Sequence, residues 1–222
     1  MHMVTLALDA STYAGSVAII DGDRVLAECE VAMRGERSER LMPTVAEALE
    51  AAGVSVADVD RIVCGAGPGS FTSLRIAASI AKGIAAGRGV PLLAVPSLLL
   101  IVAGAPETES GGRFMAVLDA LRGDVFAAAY AVRPDGGIDE VEPPALVPRA
   151  EVAERASVIS ARLIGPHEAI EAHPHARGVA RLVSRLDDAH AVDLSAWEPD
   201  YGRLAEAQVR WEAAHGRALP RV

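Results

Sequence analysis

Arg61-Ile62-Val63-Cys64-Gly65-Ala66-Gly67-Pro68-Gly69-Ser70-Phe71-Thr72-Ser73-Leu74-Arg75-Ile76 passes from an apolar run into a glycine-rich turn and out again into a helical pattern. The run over 61–66 reads as a buried strand, and apolar spacing after the turn predicts a helix over 72–86, with Gly87 and Gly89 past its end. A strand feeding a glycine turn that opens a helix is a common anion site, because free backbone N–H groups and the helix dipole converge there. Here Pro68 removes one donor, and no lysine follows the glycines as a P-loop requires. Two readings stand at this point. Gly67, Pro68, Gly69 and Ser70 cradle a phosphate, or the glycines let the helix lie close on its sheet; the missing donors favour the second.

Upstream, Val4–Asp9 is an apolar run ending in an acid, and 15–20 is a second run. Asp21-Gly22 turns it into a third run over 24–31, so three antiparallel strands are expected. After a charged connector at 34–37, a helix is expected from Ser38 as N-cap to a stop at Gly53, with Leu41, Met42, Val45, Leu49 and Ala52 on one face. Downstream, a buried strand is expected over 91–95, with Ser97 capping a short helix that ends by Gly104. The small, polar stretch 106–112 is the expected boundary between domains 1–105 and 106–222.

Beyond it the opening pattern recurs. A strand over 113–119 ends in Asp119, Arg122-Gly123 turns into a strand over 124–132, and Asp135-Gly136-Gly137 turns into a third. This repetition reads as a duplicated sheet-plus-helix unit with a cleft between the copies. Helices over 149–156, 176–186 and 203–214 and a strand over 162–165 complete the expectation, and the last helix is a candidate to pack back on the first domain.

The chain has 222 residues, 51% hydrophobic and 4% aromatic, with a mean hydropathy of +0.25. That suffices for a substantial core of small aliphatic side chains. A net charge of −9 opposes phosphate neutralisation and argues against strong nucleic-acid binding by this chain alone. Cys29 and Cys64 lie in strand-like settings and read as reduced core thiols. No apolar run reaches membrane-spanning length, the first residues lack a signal-peptide pattern, and a cytoplasmic protein is expected.

The string Gly67-Pro68-Gly69-Ser70-Phe71-Thr72-Ser73-Leu74-Arg75-Ile76 resembles the G-P-G-S-F-T-G-L-R-I-G signature of the TsaB family. Three further segments agree in order: Leu6-Ala7-Leu8-Asp9-Ala10-Ser11-Thr12, Ser38-Glu39-Arg40-Leu41-Met42-Pro43, and Leu118-Asp119-Ala120-Leu121-Arg122-Gly123-Asp124-Val125-Phe126. Ser73 and Ala77 stand where the family usually has glycine, Arg37 where it has histidine, and Leu121 where it has arginine. The resemblance implies an α/β, actin-like (ASKHA, ribonuclease H-like) fold of duplicated domains. It implies a non-catalytic paralogue of the catalytic subunit TsaD. With TsaD and the ATPase TsaE, such proteins help transfer a threonylcarbamoyl group to N6 of the adenosine beside the anticodon. It also implies a helical interface, to TsaD or to a second copy, with no cofactor and no metal. The interface residues expected here are Leu41, Met42, Val45, Leu49, Leu74, Ala77, Ala78, Ile80, Ala81 and Ile84. Thr72 and Arg75 belong to the motif turn.

The residues offer little chemistry of their own. The histidines His2, His167, His173, His175, His190 and His215 show no H-x-x-x-H spacing and read as surface groups. The first turn, Asp9-Ala10-Ser11-Thr12, lacks the glycine that lets backbone approach phosphate. Asp9, Ser11, Thr12 and Asp119 outline a vestigial cleft. Asp9 and Asp119 could act as paired carboxylates across it, or each could close its own turn. An independent actin-fold ATPase or small-molecule kinase is the alternative function, and a bare homodimeric interaction protein is a third.

Overall fold

The computed structural model describes residues 3–33, 39–187, 189–202 and 215–216. The connector at 34–37, Ser38 and the expected helix over 203–214 lie outside the described residues. Strands β1 (Val4–Asp9), β2 (Ala14–Asp21) and β3 (Arg24–Ala32) form an antiparallel meander. β4 (Arg61–Gly65) and β5 (Leu92–Val95) add in parallel to β1, giving the order β3-β2-β1-β4-β5. Strands β6 (Gly112–Asp119), β7 (Asp124–Val132), β8 (Ile138–Pro148), β9 (Arg162–Gly165) and β10 (Ile170–Glu171) repeat that plan. Their order is β10-β9-β6-β7-β8, with the same parallel and antiparallel senses. The repeated hairpins in the sequence are therefore two sheets of one topology, the duplicated arrangement of an actin-like α/β fold.

Two helices cover the outer face of the first sheet. α1 (Leu41–Ala52) ends at Gly53, whose left-handed φ of 69° lets its N–H reach Glu50 O at 3.0 Å. At its start the Glu39 carboxylate accepts the N–H groups of Leu41 and Met42, a role the sequence reading had given to Ser38. α2 (Phe71–Arg88) runs from the glycine turn to Gly89. Leu41, Val45, Ala48, Ala77, Ala81 and Ala85 pack on Leu6, Leu8, Val17, Ile19 and Ile62. The outer face of the second sheet packs Met115, Val117 and Ala127 on Val152 and Ala156 of α4 (Val152–Val158), which follows a short turn at Arg149–Glu151.

Between the sheets the described residues form a continuous core. α3 (Ser97–Gly104) is buried along its whole length. It lies among Ala7, Ile20 and Val95 on one side and Phe114, Ala116 and Leu118 on the other, with Val179 and Leu182 closing the layer. Those two belong to a 3₁₀ turn, Ala176–Leu182, that continues into α5 (Val183–Asp187), where one helix was expected. The stretch read as a linker is also packed. Thr108 is buried, donates to Val102 O at 2.8 Å, and accepts from Arg181 at 2.7 Å. Small polar residues in sequence look like a hinge; here their hydroxyls tie the chain down.

Tyr130 sits in this central core fully buried, and its hydroxyl has no hydrogen-bond partner among the described residues. Burial pushes the phenol well above its ordinary range. An unpaired buried hydroxyl costs about 1–3 kcal/mol. Tyr130→Phe is therefore expected to raise the melting temperature by a few degrees, and calorimetry reads it directly; a comparable fall would reveal an occupied hydroxyl.

Candidate functional site

The glycines of the motif turn occupy places where no side chain fits. A Cβ on Gly65 would lie 1.8 Å from Asp9 Oδ2, and one on Gly69 would lie 2.2 Å from Ser11 O. Gly67 has φ +88°, and its Cβ would lie 2.1 Å from Asp200 O. The end of β4 is thus pressed against the end of β1 on one side and against residue 200 on the other. The Gly67–Pro68 peptide bond is cis.

Three of the turn's N–H groups bond within the chain. Gly67 N–H donates to Ser97 Oγ at 3.0 Å, and Ser70 N–H donates to Ser11 O at 2.7 Å. Ala66 N–H bonds Val95 O at 2.8 Å, while Pro68 has no N–H. Ser97 Oγ in turn donates to Asp9 Oδ2 at 2.6 Å, and Ser11 donates to Asp9 Oδ1 through both N–H (2.9 Å) and Oγ (2.7 Å). Asp9 is wholly buried, and burial pushes its carboxyl above the usual range in spite of these donors. Ser97, read from the sequence as a helix cap, makes no capping bond. It joins Asp9 to the turn across 88 positions, and no local pattern announces such a contact.

The other candidates disperse. Asp119 is exposed and its carboxylate accepts Leu121 N–H at 2.8 Å, so each aspartate closes its own turn and they form no shared carboxylate pair. Thr12 bonds Ala14, Ser70 Oγ pairs with Ser73 Oγ at 3.1 Å, and Thr72 and Arg75 face solvent. Among the expected interface residues, Leu41, Val45, Leu74, Ala77, Ala78 and Ala81 are buried within the chain. The small Ala77 and Ala81 seat α2 on β1 and β4. Leu49, Ile80 and Ile84 are half-buried, and Met42 is exposed. Cys64 is buried with its thiol pushed up by desolvation, and Cys29 is a second free thiol. Among the described residues no cluster of three metal-ligating side chains occurs.

His175 departs from the reading of all histidines as surface groups. It is buried against the first sheet, with Nε2 3.2 Å from Glu30 and Nδ1 accepting Arg177 N–H at 3.1 Å. Arg177 reaches Glu28 at 3.3 Å, and Ser16 Oγ accepts Ala176 N–H at 2.9 Å. Together they pin residues 175–177 to β2 and β3.

The Escherichia coli K12 protein named tRNA threonylcarbamoyladenosine biosynthesis protein TsaB is 34% identical over 184 residues, covering 82% of this chain and 79% of its own. The chain belongs to the TsaB family. The Bacillus subtilis protein of the same name is 29% identical over 227 residues, covering 94% of this chain and 98% of its own. A family model described as TsaD, tRNA N6-adenosine threonylcarbamoyltransferase, matches residues 30–163. The solved structure titled YeaZ from Pseudomonas aeruginosa superposes with a TM-score of 0.75 at 27% identity, covering 90% of this chain and 99% of that one. In this TsaB-family chain the signature turn is a junction that closes the fold.

Two outcomes follow. Ser97→Ala strands Asp9 Oδ2 and Gly67 N–H, and is expected to cost about 2 kcal/mol and several degrees of melting temperature; exposed Thr72→Ala should cost less than about 0.5 kcal/mol. Desolvation lowers the His175 pKa below its ordinary 6.5. The unfolded chain then binds a proton that the folded chain refuses, so stability should fall as pH drops below 6.5. Denaturant melts across about pH 5–8 should show that slope in the native protein and a flatter one in His175→Gln.

Proposed function

We propose that this chain serves the synthesis of N6-threonylcarbamoyladenosine in tRNA as a non-catalytic subunit that pairs with TsaD, in a cytoplasmic assembly with TsaE. The pathway rests on membership of the TsaB family. The non-catalytic role is supported by one observation: the N–H groups of Ala66, Gly67 and Ser70 and the Asp9 carboxyl are bonded within the chain, to Val95, Ser97 and Ser11. A central core shared by both sheets supports it, since lobe closure around a nucleotide would have to tear α3 from its packing. Domains 1–105 and 106–222 then act as one rigid block presenting the outer side of α1 and α2, where Met42, Ile80, Ile84 and Arg75 meet TsaD or, in its absence, a second copy.

A reconstituted reaction with TsaD, TsaE, threonylcarbamoyl-adenylate and substrate tRNA tests this. Modified adenosine, read by mass spectrometry of digested tRNA, should require both this chain and TsaD. Turnover of ATP by this chain alone, with tight Mg-ATP binding in calorimetry, would sink the reading in favour of an actin-fold ATPase. Met42→Glu and Arg75→Glu should keep the melting temperature but weaken TsaD binding at least about tenfold. Ala81→Glu is no interface probe, because Ala81 is fully buried; it should unfold the first domain.

A further inference from the structure

Residues 192–202 leave the second half of the chain and run back along α2 without forming a strand or helix. Val192 N–H bonds Leu92 O at 2.9 Å at one end, and Asp200 N–H bonds Ala66 O at 2.7 Å at the other. Between them Val192, Leu194 and Trp197 are only partly buried on the first core, with Lys82 Nζ 5.8 Å from the Trp197 ring centre. Tyr201 lies on exposed Phe71, ring centres 4.6 Å apart, and Arg75 stacks on the other partner of that pair, 5.2 Å from the Phe71 ring. Gly202, with φ +67°, enters a space where a Cβ would be 2.3 Å from the Phe126 ring and 2.9 Å from Pro68. The strap therefore touches three things at once: the exposed first turn of α2, the glycine turn, and the second sheet.

We infer that 192–202 is a releasable clasp. At its far end Tyr201 rests on the surface of α2, and Gly202, itself exposed, lies against Pro68 and Phe126. Two terminal backbone bonds, half-buried Val192, Leu194 and Trp197 and buried Pro199 hold the clasp, whereas β1, β4 and α3 beneath it are almost wholly buried. Elements held this lightly open locally well before the whole molecule unfolds. Because Tyr201 and Gly202 are adjacent, whatever alters the Phe71 surface biases the contact of Gly202 with Pro68 and Phe126, and a ligand that prefers the closed or the open clasp shifts that equilibrium. The inference concerns the isolated chain and does not depend on the identity of its partner.

Hydrogen exchange on the full chain tests it. In the native protein the Asp200 amide should exchange at least about a hundredfold faster than Leu8 and Val63 amides, reporting local opening. Gly202→Val, which cannot fit beneath Phe126, should speed Asp200 exchange a further tenfold or so and raise anilinonaphthalene sulfonate emission as Pro68 and Phe126 are uncovered. Phe71→Ala, which removes the ring contact with Tyr201, should do the same. Melting temperatures within a few degrees of native would confirm that the body stays folded, and if Gly202→Val unfolds, Tyr201→Ala decides by the same readouts. Asp200 exchanging in step with Leu8 and Val63, or unmoved by Phe71→Ala, would overturn the clasp.

Discussion

Where β1, β4 and α3 converge, the Asp9 carboxylate is held away from water by three donated hydrogen bonds from Ser11 and Ser97. Removing a carboxylate from solvent is costly unless donors surround it. That constraint propagates outward. Gly65 must lack a side chain because Asp9 occupies its space, Ser97 must begin α3 with its hydroxyl turned inward, and Gly67 must offer its N–H to that hydroxyl. The start of α2 then follows, since Ser70 N–H is anchored on Ser11 O. One buried carboxyl group thus sets the relative position of two strands and two helices.

The same geometry separates this site from an anion cradle of similar sequence. A phosphate site needs unsatisfied N–H groups converging on solvent. Here the glycines bring backbone against backbone, and the N–H groups of Ala66, Gly67 and Ser70 are bonded inside the chain. Close approach by glycine serves ligand binding in one protein and internal packing in another, and the difference lies in what stands opposite: for Gly69 it is Ser11 O, and for Gly67 it is Asp200 O.

The central layer carries the second organising constraint. A helix buried on every side needs apolar cover from two surfaces. The duplicated sheets supply those surfaces to α3, with Ala176, Val179 and Leu182 filling the margin. His175 and Arg177 fasten that margin to Glu30 and Glu28 of β3. Two copies of one topology become a single body because their shared side is oily and continuous.

Much of this was legible in the residues. Hairpin signals around Asp21-Gly22 and Arg122-Gly123 located both meanders, the apolar run at 61–66 located β4, and the motif string located the family, because period, turn chemistry and local spacing are carried along the chain. The α2 alanines were misread as a partner surface, since small residues suit helix-on-sheet and helix-on-helix contact equally. Ser97 as a ligand of Asp9, His175 as a buried pin and Gly202 beneath Phe126 left no local trace. Each depends on groups far apart in sequence meeting at van der Waals or hydrogen-bond distance. By itself the sequence determined which elements form and which family they belong to. Only the tertiary structure decided that the Ala66, Gly67 and Ser70 amides are bonded from within, because whether an N–H is free depends on the atom that folding places opposite it.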